Sequence, residues 1–265
     1  MTALKKLAEV PAAFRVQSIT SPEPPEPPAI LPPNGRIVMV TGANRGMGLA
    51  IATRLRADGY RLSVGVRDPV KFPGLIDGAD PATLVHAFDA HDPASASHWV
   101  AATVAHFGGV DVLINNAGVL HNIGFDPAEI PKLDEMWEVN VKAPFRLISL
   151  VLPLLERCGH GRIINMSSLA GLRYKGKGSS FSYAMTKSAL LSLSQGARHA
   201  GWEHGIRVTA LCPGATDTPM TLSKKPRQEL IRPATIAQMV ATILSLPNAA
   251  SVAFVPMNPD LEVLY

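Results

Sequence analysis

The sequence predicts an α/β fold: a doubly wound parallel sheet of about seven strands with helices on both faces. Three observations carry this expectation. From Arg36 onward, short β-branched runs alternate with longer amphipathic segments, the pattern of repeated βαβ units. The short runs are apolar throughout rather than at every second position, as in strands covered on both faces. A chain of 265 residues that is 47% hydrophobic and 17% charged is also long enough to bury such a sheet in one core.

In chain order, residues 1–34 form an arm ending in the stretch "SPEPPEPPAILPPN" (21–34). Its proline density excludes helix interiors and central strands and favours an extended spacer. A single catalytic domain is expected over 35–265. Its strands are read at 36–41, 61–66, 83–88, 111–115, 161–166, 206–211 and 251–255, each bounded by glycine, proline, asparagine or aspartate. Helices are read at 46–58, 93–107, 132–157, 181–204 and 234–246, with right-handed crossovers between parallel strands. In such a sheet ligands bind beyond the carboxyl ends of the strands, so the residues that follow each strand are the ones to inspect.

Composition excludes several function classes. The net charge of +4 is scattered rather than blocked, which argues against a nucleic-acid partner. No stretch approaches the roughly 20 apolar residues that cross a bilayer, and Glu9, Pro11 and Arg15 interrupt the segment after Lys5 and Lys6, making it a poor signal peptide. Cys158 and Cys212 show no metal-ligand spacing, so no metal is expected and reduced thiols in a cytoplasmic protein are the reading.

The first strand runs into "TGANRGMG", with Gly42, Gly46 and Gly48 opening a helix. A glycine-rich turn at a helix N-terminus brings backbone amides close to a phosphate, whose charge the helix dipole favours. Asp89 follows the third strand, where it could accept from an adenine amino group or serve only as a turn residue. After the fourth strand comes "NNAG", in which Asn115 and Asn116 suit a turn tying neighbouring strands, while Ala117 and Gly118 leave room for a cofactor. In "SYAMTK", Tyr183 and Lys187 share one helix face one turn apart.

Taken with Asn140 in "WEVNVKAP", Ser168 in "INMSSLAG" and the segment "PGATDTPM" (213–220), these motifs, in this order, resemble the short-chain dehydrogenases/reductases over about residues 36–256. The resemblance implies a Rossmann-like fold and an oxidoreductase, akin to carbonyl reductases, that passes a hydride between a nicotinamide and a small carbonyl or alcohol substrate. It makes Tyr183 the general acid/base. Lys187 would lower its pKa and hold the nicotinamide ribose, Ser168 would hydrogen-bond the substrate oxygen, and Asn140 would hold a water linking Lys187 to solvent. Cofactor contacts would come from Gly42, Asn44, Arg45, Gly46, Met47 and Gly48, from Arg67 and Asp89, from Asn116, Ala117 and Gly118, from Tyr183 and Lys187, and from Pro213, Gly214, Thr216 and Thr218.

NADP(H) is expected over NAD(H). In NAD-preferring relatives an acid ends the second strand, whereas Val66 stands here, followed by Arg67, with Arg45 on the turn itself. Arginine accommodates a 2′-phosphate through its fork of donors. The loop between Ser168 and Tyr183 is basic, with Arg173, Lys175 and Lys177; it is either a solvated loop or a reader of anionic substrates. Leu120, Leu172 and Met220 suggest a partly apolar cavity, and His121 stands near it as a further candidate contact. A homodimer through the helices at 132–157 and 181–204 is expected, with a homotetramer left open. The rival reading is a non-catalytic dinucleotide-binding sensor or scaffold on the same fold.

Overall fold

Seven parallel strands lie in the order β3-β2-β1-β4-β5-β6-β7 in the computed structural model, which describes residues 30–72, 80–176, 180–221 and 226–261. They are β1 (Ile37–Thr41), β2 (Arg61–Val66), β3 (Thr83–Ala87), β4 (Val112–Asn115), β5 (Arg162–Met166), β6 (Arg207–Pro213) and β7 (Phe254–Met257). β1 and β5 are buried along their whole length, the burial pattern that their uninterrupted apolar runs require.

The helices are α1 (Gly46–Ala57), α2 (Pro93–Phe107), α3 (Ile130–Trp137), α4 (Ala143–Cys158), α5 (Leu169–Leu172), α6 (Phe181–Gly201) and α7 (Pro233–Ser245). One core forms where Ile51 and Leu55 of α1 and Ile236 and Val240 of α7 cover one face of the sheet. A second forms on the other face from Trp99 of α2, Leu147 and Val151 of α4 and Ala197 of α6. The strand order reverses between β1 and β4, so the carboxyl ends of these two strands diverge and open the crevice in which such sheets bind ligands.

Three features depart most from the sequence reading. The single helix expected at 132–157 is α3 and α4 joined by a π-helical turn over Glu138–Lys142. Hydrophobic periodicity runs through such a turn unbroken, which is why the sequence reads as one helix; π turns cluster at functional sites. β7 lies at Phe254–Met257 rather than 251–255, because its ladder with β6 begins at Ala210↔Phe254 and ends at Pro213↔Met257. The four-residue α5 was not expected. Of the proline-rich arm only residues 30–34 are described; Leu31 N–H donates to Ser245 O at 2.8 Å, attaching its end to α7. Residues 1–29 lie outside the described residues.

Candidate active site

The turn between β1 and α1 is shaped by two glycines. Gly42 has φ +66°, a region that favours glycine. At Gly48 the helix crosses the turn so closely that a Cβ would lie 2.3 Å from Gly42 O and 2.4 Å from Asn116 Nδ2. Neither neighbour can move cheaply, one being backbone and the other a strand tie. Gly48→Ala is therefore expected to cost about 1–3 kcal/mol of stability, the range for overpacking, and to weaken dinucleotide binding; a urea midpoint and NADPH fluorescence titration check both.

α1 begins without a side-chain cap: Arg45 at its N-cap makes no capping hydrogen bond, and no acid sits in the first turn. Its end amides thus face the cleft with no internal anion to satisfy them, which suits a phosphate. The cleft holds about 350 Å³ and is lined by the whole expected turn (Gly42, Asn44, Arg45, Gly46, Met47 and Gly48) together with Arg67, Asp89, Asn116, Ala117, Gly118 and Thr218.

The asparagines after β4 do what their sequence position suggests. Asn116 Nδ2 donates to Thr41 O at 2.9 Å, and the Asn116 and Ala117 amides both donate to Thr41 Oγ1. Asn115 Nδ2 donates to Asn165 Oδ1 at 2.8 Å, joining β4 to β5. Asp89 combines both readings offered for it: its Oδ1 accepts from the His91 amide at 3.0 Å as a turn residue, and it lines the cleft.

At the end of β2, Val66 and Arg67 line the cleft and Arg67 is exposed. Asp68, the one neighbour that could offset Arg67, instead pairs with Lys71 at 2.9 Å and caps the following 3-10 turn through Val70 N. Lys71 holds the Asp68 carboxyl below its ordinary range. Among the described residues neither Arg45 nor Arg67 forms an ion pair, so two uncompensated guanidiniums border this part of the cleft.

Beyond Gly118 the cleft meets the second group of expected residues. A Cβ on Gly118 would stand 3.5 Å from Lys187 Nζ and 3.2 Å from Asn140 Oδ1. Tyr183 sits in the first turn of α6, set by the N-cap Ser180, whose Oγ accepts from Tyr183 N. Its phenol stands near enough to the Ser168 hydroxyl for that group to favour the phenolate. Ser168 caps α5 by accepting from Ala170 N at 3.1 Å, so its backbone and hydroxyl are fixed by the turn that ends β5. Lys187, one turn beyond Tyr183, is only 3% exposed; its Nζ donates to Met166 O at 2.7 Å and lies 5.5 Å from the Tyr183 ring centroid.

The electrostatics differ from what the resemblance implies. Burial pushes the Tyr183 phenol up to about 12, with the nearby Ser168 hydroxyl pulling the other way. Burial sets the net direction, and it also brings the Lys187 ammonium down to about 8. Desolvation disfavours charge on both groups. The expected lysine-lowered tyrosine is thus a neutral phenol beside a lysine whose own pKa is brought down to about 8.

Other expected residues are placed less directly. Asn140 lies fully buried in the π turn, with Nδ2 donating to Val119 O and Thr186 Oγ1 and Oδ1 accepting from Val119 N. Both donors are thus spent on structure, and the side chain positions the loop after β4. Of the two threonines considered, Thr218 lines the cleft, whereas Thr216 is buried and donates to Gly214 O. Pro213 and Gly214 close the turn behind: Pro213 O accepts from Ser168 Oγ at 3.4 Å, and Gly214 packs on Leu169 and Pro259. Lys177 of the basic loop lies outside the described residues, and Arg173 and Lys175 do not line the cleft.

The sequence reading missed Glu135. From α3 it lines the cleft and takes His121 Nε2 at 2.7 Å, so the loop histidine is fixed by a carboxylate. No local signal marks this pair, since its partners are 14 residues apart on separate elements.

Comparison with known proteins agrees with this geometry. Residues 36–229 match the model of the short chain dehydrogenase family. The chain is 36% identical over 220 residues to an agropine synthesis reductase of Rhizobium rhizogenes, covering 82% of this chain and 50% of that one, so it spans about half the length of that relative. Among solved structures it is similar to 3-ketoacyl-(acyl-carrier-protein) reductase from Brucella melitensis complexed with NADH, with a TM-score of 0.76, 26% identity, and 83% and 95% of the two chains covered. It is likewise similar to NADPH-bound carbonyl reductase from chicken fatty liver, with a TM-score of 0.75, 29% identity, and 83% and 96% covered.

Proposed function

The chain belongs to the short-chain dehydrogenase family, and on that footing we propose that it is an NADP(H)-dependent oxidoreductase interconverting a carbonyl and an alcohol, with Tyr183 as general acid and base. The observation that carries this reading is the Ser168–Tyr183–Lys187 arrangement standing beside a cleft whose helix N-terminus is open to an anion.

The bound nicotinamide supplies or takes the hydride. The protein's own groups manage the proton. In the direction of reduction, the neutral Tyr183 phenol gives its proton to the substrate oxygen as negative charge develops there. Ser168, fixed as the α5 cap, hydrogen-bonds the same oxygen and stabilises that charge. Lys187, protonated below about pH 8, stabilises the phenolate left behind and returns a proton toward it. Its contact with Met166 O keeps the ammonium aimed between β5 and α6. Turnover of NADPH with a broad panel of aldehydes, ketones and alcohols tests the assignment; no turnover with any of them would leave a dinucleotide-binding sensor instead.

Cofactor choice follows from charge. Arg45 and Arg67 border the cleft where the end of β2 offers Val66 and no acid, and Asp68 is turned to Lys71. Charge-assisted contacts are worth about 1.5–3 kcal/mol each, so removal of one should cost about tenfold or more in NADPH affinity. Val66→Asp combined with Arg67→Ala is expected to shift preference toward NADH, read by titrating both cofactors at low ionic strength. Tighter binding of NADH than NADPH by the unaltered protein would overturn the preference. For assembly, exposed Phe145 and Leu150 on α4 and Met185 on α6 support a homodimer through these helices, which sedimentation velocity tests.

A further inference from the structure

At the amino-terminal ends of the central strands β4 and β5, opposite the cleft, three side chains from separate parts of the chain converge. Asp111 directly precedes β4, Cys158 closes α4, and His160 lies in the short link to β5. Their carboxylate, thiol and imidazole ligand atoms all lie within 4.8 Å of one another, and each residue is half-buried. We propose that Asp111, Cys158 and His160 bind a zinc ion that clasps the start of β4 to the end of α4.

The donor set fits that ion. Zinc takes thiolate, imidazole and carboxylate ligands in tetrahedral sites, and three protein ligands leave the fourth position to water, which half-burial allows. Asp111 is available. Its Oδ2 accepts from Ile37 N at 2.7 Å, and among the described residues it forms no ion pair, although Arg36 and Arg162 are near. Those guanidiniums are committed elsewhere, Arg36 Nη1 to Leu244 O at 3.0 Å and Arg162 Nη2 to Leu246 O at 2.7 Å.

Charge arithmetic explains why the ion should be thiophilic. Zinc takes the place of the Cys158 thiol proton, which leaves to solvent, and Zn²⁺ with one thiolate and one carboxylate is neutral. A neutral unit can stand beside two guanidiniums, whereas a hard divalent cation that leaves the thiol protonated would keep a net positive charge beside theirs. The C-terminal end of α4 adds a negative dipole end at the same place. The catalytic groups lie at the other end of the sheet, so the clasp should affect stability and not turnover.

The test is titration of the metal-free full chain with zinc, and with cobalt(II) as a spectroscopic substitute. One equivalent is expected, with a thiolate-to-cobalt charge-transfer band, a zinc-dependent rise in thermal midpoint and unchanged turnover. Cys158→Ser should abolish the band and weaken zinc binding at least about a hundredfold, beyond the effect of losing an outer-shell partner. Cys212→Ser and His121→Gln should leave both unchanged, the latter separating this site from the His121–Glu135 pair at the cleft. If Cys158→Ser fails to fold, zinc protection of Cys158 against alkylation in the unaltered chain gives the same answer by mass spectrometry. Absence of the band, equal zinc affinity in Cys158→Ser, or alkylation of Cys158 unaffected by zinc would each overturn the proposal.

Discussion

Tyr183→Phe is expected to lower turnover by at least about a hundredfold, the low end for loss of a positioned general acid, while NADPH binding and fold stability stay nearly unchanged. The substitution keeps the ring and removes one oxygen. Ser168 retains its other contacts, accepting from Ala170 N and donating to Pro213 O, so α5 keeps its cap. Because burial holds the phenol near 12, it is neutral in the wild-type resting form, and no buried charge is created or lost at pH 7. Loss of rate therefore isolates the proton. Single-turnover kinetics with NADPH and any accepted carbonyl compound provide the measurement, and near-normal rates would show that the proton comes from elsewhere.

Lys187→Met should act in opposite directions on activity and stability. Turnover should fall at least about a hundredfold, since the charge that stabilises the phenolate is gone, and cofactor binding should weaken. The cofactor-free fold should become more stable. The sign follows from linkage: the folded-state pKa of Lys187 is about 8 against an ordinary 10.5, so between these values the unfolded chain binds the proton and the folded one does not. The group thus costs stability below pH 8, and that cost fades as pH rises toward 10.5. The displacement corresponds to about 3 kcal/mol, partly offset by about 1 kcal/mol for the lost hydrogen bond to Met166 O. A thermal midpoint a few degrees above wild type at pH 7 is expected, with the difference shrinking by pH 10. A midpoint lowered at pH 7 would show that Lys187 is not strained by its burial. The same titration predicts that kcat/KM for carbonyl reduction in the wild type falls as pH rises through about 8.

Much of this molecule is legible in its sequence because the relevant physics is local. Short β-branched apolar runs such as "RIVMVT", bounded by turn residues, read as buried strands, and β1 occupies Ile37–Thr41 with every residue buried. Gly42 and Gly48 mark a close turn because no other residue fits their backbone and spacing. The four-residue interval between Tyr183 and Lys187 sets both on one helix face whatever surrounds them.

The tertiary structure decided what depends on neighbours brought in from elsewhere. Spacing placed Lys187 beside Tyr183, but the direction of the tyrosine's pKa depends on how much water the packed β5, α5 and α6 segments exclude, and there burial is the largest cause. The π turn that buries Asn140 against Val119 and Thr186 leaves no trace in hydrophobic periodicity. Thr216 and Thr218 are equivalent in sequence, yet the turn that pairs Thr216 with Ile231 points only Thr218 into the cleft. The two cysteines show no ligand spacing along the chain, because Asp111 reaches Cys158 and His160 only when β4 and β5 lie side by side. Periodicity and turn chemistry are properties of a few consecutive residues, whereas desolvation and convergence belong to segments that meet only in the fold.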